Sequence, residues 1–282
     1  MTSSTQNQTS IIVRSEDLLR QYQNIRSQSL ALISTLSDAD ATVQSMADAS
    51  PAKWHMGHTT WFFETLILIP NLEDYQQFDQ KYHYLFNSYY ESLGPRQPRP
   101  KRGMLTRPSL DDIREYRRYV DHHVRVFLDQ GKCTQETATL LELGLHHEMQ
   151  HQELLLTDIL HLFAQNPLQP TFRASEPLPL TNQGPTLQWL EIEGGIVDVG
   201  HSGETFAFDC EMPLHQQIIR PFKLANRPVT NGEWITFMEE DGYSNPLHWL
   251  SDGWAAIQEE DWHAPLYWSE EESGWGAMSL RG

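Results

Sequence analysis

Cysteine is nearly absent. The 282 residues contain only Cys133 and Cys210, too few for a disulfide framework, so a reducing, cytoplasmic setting is expected. Positive charge is scarce too: 20 Lys and Arg face 38 Asp and Glu, a formal net charge of −18. Such a surface repels nucleic acid and anionic lipid alike. Long apolar runs are missing; the stretch Leu66 to Ile69 spans four residues, far short of the roughly 20 that cross a bilayer. The first ten residues are polar and uncharged and lack the basic and apolar regions of a signal peptide. These absences point to a soluble cytoplasmic protein with no nucleic-acid or membrane partner, and they set no oligomeric state. Aromatics are plentiful by contrast, at 11% with nine tryptophans, enough core for one large domain or two ordinary ones.

Hydrophobic periodicity predicts four helices after a disordered N-terminus at 1–14. The first starts near Ser15, with Leu18, Tyr22, Ile25, Leu32 and Leu36 at helical spacing and Arg14, Arg20 and Arg26 among the polar filler. The second takes Ser50 as N-cap and Pro51 as its first residue and runs to Pro70. The third opens at Ser109, with Asp111 and Asp112 in its first turn, and buries Ile113, Tyr116, Val120, Val124 and Phe127. The fourth runs from Thr134 to about Phe163. Four amphipathic helices with a long connection at 71–108 describe a helical bundle over 15–165 with room for a metal site in its core. A proline-rich linker follows at 166–187. From 188 an α+β domain is expected, opening with Leu190 to Gly200, which alternates like strands around a turn.

The fourth helix carries the most informative segment, Gly144-Leu-His-His-Glu-Met-Gln-His-Gln-Glu153. His147 and His151 project from one helical face about 6 Å apart along the axis, a spacing at which two neutral imidazoles chelate one transition-metal ion. His146 points about 100° away, and His161 lies about 15 Å beyond His151. The same letters spell H-E-x-x-H, but Leu154 and Thr157 stand where the extended zinc-protease motif needs Gly and His. A third ligand is better sought on the second helix, in Ser50-Pro-Ala-Lys-Trp-His-Met-Gly-His58. This segment offers His55 and His58, with Gly57 permitting close approach. Three imidazoles from two helices would leave half an octahedron open, as in the facial triads that activate oxygen at iron(II).

The motif S-P-x-x-W-H-x-G-H followed by H-E-x-Q-H-x-E resembles the DinB-like N-terminal bundle of the ergothioneine-pathway sulfoxide synthases, the EgtB family. Phe208 to His215, Pro228 to Trp234 and Gly242-Tyr-Ser resemble the opening of the formylglycine-generating-enzyme-like (sulfatase-modifying factor, C-type-lectin-like) α+β domain fused to it. The resemblance covers residues 15 to 275. It implies a non-haem iron(II) enzyme that couples cysteine to the imidazole carbon of hercynine with O₂, giving hercynylcysteine sulfoxide. Its ligands would be His58, His147 and His151, with His55 a neighbour and Gln150 at a position that contacts the substrate imidazole.

In Leu85-Phe-Asn-Ser-Tyr-Tyr-Glu-Ser-Leu-Gly94, the pair Tyr89 and Tyr90 looks like the branch of the family that uses free cysteine. A phenol can donate a proton where negative charge builds on oxygen. Arg96, Arg99, Lys101, Arg102 and Arg107 follow with no acid between Leu93 and Ser109. Arg96, Arg99 and Arg102 are therefore candidates for the cysteine carboxylate. The family's second domain normally continues past the position where Leu280-Arg-Gly282 closes this sequence, so a C-terminally truncated chain with weak or no turnover is expected. Two other activities fit parts of the pattern: a 5-histidylcysteine sulfoxide synthase of the ovothiol pathway, and a DinB-like zinc-dependent thiol transferase.

Overall fold

The computed structural model describes the backbone of residues 3–88, 94–174, 184–203, 205–272 and 274–282, with side chains from residue 16 onward. The chain forms two compact units, Met1–Ala174 together with Ser279–Gly282, and Ser175–Met278.

The first unit is helical. Helix α1 spans Ser3–Leu32, so its backbone is already helical well before the Ser15 start read from the pattern. A short α2, Asp38–Thr42, is capped by Ser37 and Asp40. Helix α3, Ala52–Phe63, passes into a π-helical turn at Glu64–Leu68 and a last turn, α4, at Ile69–Asn71. Ser50 is not the cap of α3: Pro51 occupies that position without a side-chain hydrogen bond. The Ser50 hydroxyl instead accepts a bond of 2.9 Å from Arg102. Helix α5, Gln80–Phe86, and a 3₁₀ segment, Arg99–Met104, give the 71–108 connection structure of its own. Helix α6, Leu110–Asp129, begins with the Ser109–Asp112 capping box, and α7, Gln135–Ala164, begins at Thr134. Both starts follow from hydroxyl side chains that satisfy otherwise orphaned N–H groups.

Helices α1, α7, α3 and α6 are neighbours in that order around a four-helix bundle. Every residue of α3 is buried, as a helix without a polar face must be. The apolar stripe of α6 read from the sequence is buried throughout: Ile113, Tyr116, Val120, Val124 and Phe127. That stripe also carries a charge. Arg117 is buried, as is Arg26 on α1, and both bind Glu148 of α7, at 2.8 and 2.9 Å. Arg26 also meets Asp121 at 2.7 Å, so two cations face two carboxylates. Arg26 is therefore a core residue and not polar filler.

Among the described residues, the second unit has three two-stranded antiparallel ladders and two α-helices, α8 at Asn231–Glu239 and α9 at Ser251–Glu260. Its strands are β1 Trp189–Ile192, β2 Gly195–Val199, β3 His215–Ile219, β4 Phe222–Ala225, β5 Trp268–Glu271 and β6 Gly274–Ala277. The alternating segment 190–200 does hold two strands around a turn. They do not pair with each other: β1 pairs with β4 and β2 with β3. The fold is a helical bundle followed by an α+β region with small sheets.

Candidate metal centre

Helices α3 and α7 run antiparallel, so successive turns of one meet successive turns of the other. Gly144 of α7 lies against Phe62 and Phe63, with room only for a hydrogen, since a Cβ there would come within 2.7 Å of both rings. One turn further, His147 meets His58, and the next turn sets His151 against His55. One ring nitrogen from each of His58, His147 and His151 lies within 4.8 Å of the other two.

His58 is held on every side. The rings of Trp54 and Trp61 flank it nearly parallel, at 4.7 and 5.6 Å between centroids. Its Nδ1 donates to the carbonyl of Phe86 at 2.6 Å. A nitrogen facing a carbonyl carries the proton, so Nε2 keeps its lone pair. Gly57 makes this contact possible, because a Cβ at that position would collide with the Phe86 ring. The Nε2 of His58 lies 3.2 Å from the Nε2 of His147.

Burial, followed by the proximity of the other histidines, holds His58 and His151 well below the ordinary imidazole range. Burial alone brings His147 down to about 4. All three rings are thus neutral at pH 7, the state in which imidazole binds metal. Two nitrogens 3.2 Å apart, each about 2.1 Å from a shared ion, subtend roughly 100° there, a normal angle between adjacent ligands. His147 turns Nε2 toward the cluster although its Nδ1 is buried without a hydrogen-bond partner. The donor set fits one transition-metal ion; imidazole suits iron, zinc, copper and nickel.

Glu148 cannot serve as the base of an H-E-x-x-H protease. It is 1% exposed and bound by Arg26, Arg117 and the Ser29 hydroxyl. Burial opposes its ionisation, but the two arginines prevail and bring it to about 2. The sequence did carry a signal for this group. Arg26, Arg117 and Glu148 each lie on the apolar register of their own helix, four residues after Tyr22, four after Ile113 and three after Leu145.

The remaining candidates lie around the cluster. Gln150 is on an exposed part of α7. Arg102 is buried, its guanidinium 3.3 Å from the centre of the Trp54 ring and bonded to the hydroxyls of Ser50 and Ser88. Arg96 and Arg99 donate to the backbone carbonyls of Ser88 and Asp48. Tyr89 and Tyr90 fall outside the described residues. His161 bonds Ser45 at 2.7 Å, away from the cluster. Among the described residues, no helix is long and apolar enough to cross a membrane.

A histidine trio between bundle helices, His58 buried and His147 and His151 half-buried, joined in sequence to a small-sheet α+β region, defines a class of two-part protein with a candidate metal site in its helical part. Residues 21–155 match the DinB superfamily, and residues 175–275 match the sulfatase-modifying factor enzyme 1-like domain. The hercynine oxygenase of Mycolicibacterium smegmatis is 34% identical over 131 residues, 46% of this chain and 30% of that protein. The hercynine oxygenase of Mycolicibacterium thermoresistibile is 27% identical over 257 residues, 90% of this chain and 55% of that protein. Ergothioneine biosynthesis protein 1 of Schizosaccharomyces pombe is 23% identical over 203 residues, 61% of this chain and 26% of that protein. In both matched regions the chain is similar to the hercynine oxygenase (EgtB) family. It spans about half the length, or less, of these curated relatives.

Proposed function

We propose that this chain carries the iron(II) centre of an O₂-dependent sulfoxide synthase that joins the sulfur of cysteine to the imidazole carbon of hercynine. The observation that carries the proposal is the convergence of three neutral imidazoles from α3 and α7, His58 buried and His147 and His151 half-buried, in a chain whose relatives are named for hercynine oxygenation. Iron, when bound, supplies oxygen activation and electron transfer. His58, His147 and His151 hold it from the bundle side, and the two flanking tryptophans keep the His58 ring in one plane.

We assign Gln150, one residue before the last ligand and exposed, to the imidazole of hercynine. The segment bearing Arg96, Arg99 and Arg102 is assigned to the cysteine carboxylate, for which a guanidinium fork has the right geometry. Tyr89 and Tyr90 are assigned to the site as a pair, one phenol of which donates a proton to the developing charge on oxygen. Protein loaded with iron(II) under anaerobic conditions, then given hercynine, cysteine and air, should consume O₂ and form a product with the mass of hercynylcysteine sulfoxide. The zinc-loaded protein should do neither. O₂ uptake only with histidine, giving 5-histidylcysteine sulfoxide, would assign the chain to the ovothiol reaction instead.

A further inference from the structure

We infer that His55 and Asp158 are a positioning pair that fixes the ring orientation and tautomer of His151, presenting its Nε2 to the metal. The inference rests on the metal part of the proposed function and not on its substrates.

His55 is 3% exposed and lies one helical turn before His58 on α3. Its Nδ1 is 2.8 Å from Nδ1 of His151, and its Nε2 is 2.9 Å from Oδ2 of Asp158. Asp158 stands two turns beyond His151 on α7. Its Oδ2 is itself pinned by the backbone N–H of Ser50, at 2.8 Å, just ahead of α3. The antiparallel register of the two helices thus brings Asp158, His55 and His151 into one line.

The proton positions follow from what each group can do. A carboxylate only accepts, so the proton between Asp158 and His55 belongs to His55 Nε2. The Nδ1 of a neutral His55 is then an acceptor, and His151 must donate to it from Nδ1. That leaves the lone pair of His151 on Nε2, where a metal can use it. The opposite arrangement requires protons on both nitrogens of His55 and leaves His151 with an Nε2–H that cannot ligate. The Phe86 carbonyl does for His58 what the His55–Asp158 pair does for His151. Partners of this kind hold a ligand's tautomer and raise its basicity.

The test compares the full chain with its His55→Leu and His55→Asn variants. Asn places a side-chain oxygen near the position of Nδ1 and can accept the same bond; Leu cannot. Long-range ¹H–¹⁵N spectra of the metal-free protein, with His151→Ala for assignment, should show His151 protonated on Nδ1 in the wild type and in His55→Asn. In His55→Leu the proton should move to Nε2. Iron(II) affinity should fall roughly 10- to 100-fold in His55→Leu and stay close to wild type in His55→Asn. Equal affinity in wild type and His55→Leu would overturn the inference. If His55→Leu does not fold, the wild-type spectrum decides alone, and a proton on His151 Nε2 refutes the pair. Failure of the wild type to bind iron would count against the proposed function, while the tautomer would still be read.

Discussion

The three clustered histidines differ in what the second nitrogen of each ring does. His58 gives its Nδ1 proton to a carbonyl, His151 faces another histidine, and His147 has a buried Nδ1 with no partner. Two imidazoles alone make a weak, exchangeable site, so each of the three is needed. Alanine at 58, 147 or 151 should abolish stoichiometric iron by elemental analysis, while His146→Ala should retain one equivalent. Retention of iron by His58→Ala would remove that residue from the ligand set. The i, i+4 pair was legible because helical periodicity alone puts two side chains on one face. The choice between His55 and His58 was not, since residues three apart both lean toward the same neighbour. The axial register of α3 against α7 favours His58, setting its Nε2 opposite His147 Nε2 and His55 one turn away.

At the level of elements, the bundle is held at its centre by charge as well as by apolar contact. Removing one member of the Arg26–Glu148–Arg117 group leaves buried charge uncompensated, which typically costs about 3–5 kcal/mol. Glu148→Ala should lose about that much stability in urea denaturation, and a loss below 1 kcal/mol would show the group to be dispensable. The sign of the pH effect follows from the depressed folded pKa, about 2 against the ordinary glutamate value of 4.5. This stabilisation is complete above the unfolded value and is lost as pH falls from there toward 2. Wild type should therefore lose stability over that acid window, and Glu148→Gln should lose less. The close approach of α3 and α7 gives a separate expectation. Gly144→Ala would press a methyl to within 2.6 Å of Phe63, an overpacking that costs about 1–3 kcal/mol and should lower the melting temperature.

At the scale of the whole molecule, all three histidines of the cluster belong to the first compact unit. Elemental analysis should find one iron per chain, and His215→Ala or His248→Ala in the second unit should leave that number unchanged. Two irons, or loss on changing a histidine of the second unit, would place a ligand elsewhere. The proposed thiol is also open to a direct comparison. If the tyrosine pair and the arginine-rich segment serve free cysteine, sulfoxide yield should be higher with cysteine than with γ-glutamylcysteine, and the reverse preference would refute that assignment.

Local physics determined much of this protein from the sequence alone. Caps at Ser109 and Thr134, the apolar stripe of α6 and the His147–His151 pair depend on neighbours within a turn or two, so they can be read without a fold. The class of the second domain came from the order of its motifs. What needed tertiary structure were relations across helices and strands. The π turn at Glu64–Leu68 occurs where Glu64 is buried and bonded by Tyr75, Tyr116 and the backbone of Phe78. The β1–β4 pairing likewise joins strands with β2 and β3 between them in the chain. Arg26 and Glu148 become partners only when α1 and α7 pack, 122 residues apart in the chain. His55 acquires its place beside His151 and Asp158 for the same reason: hydrogen-bond partners on different helices are set by packing register, which no local pattern encodes.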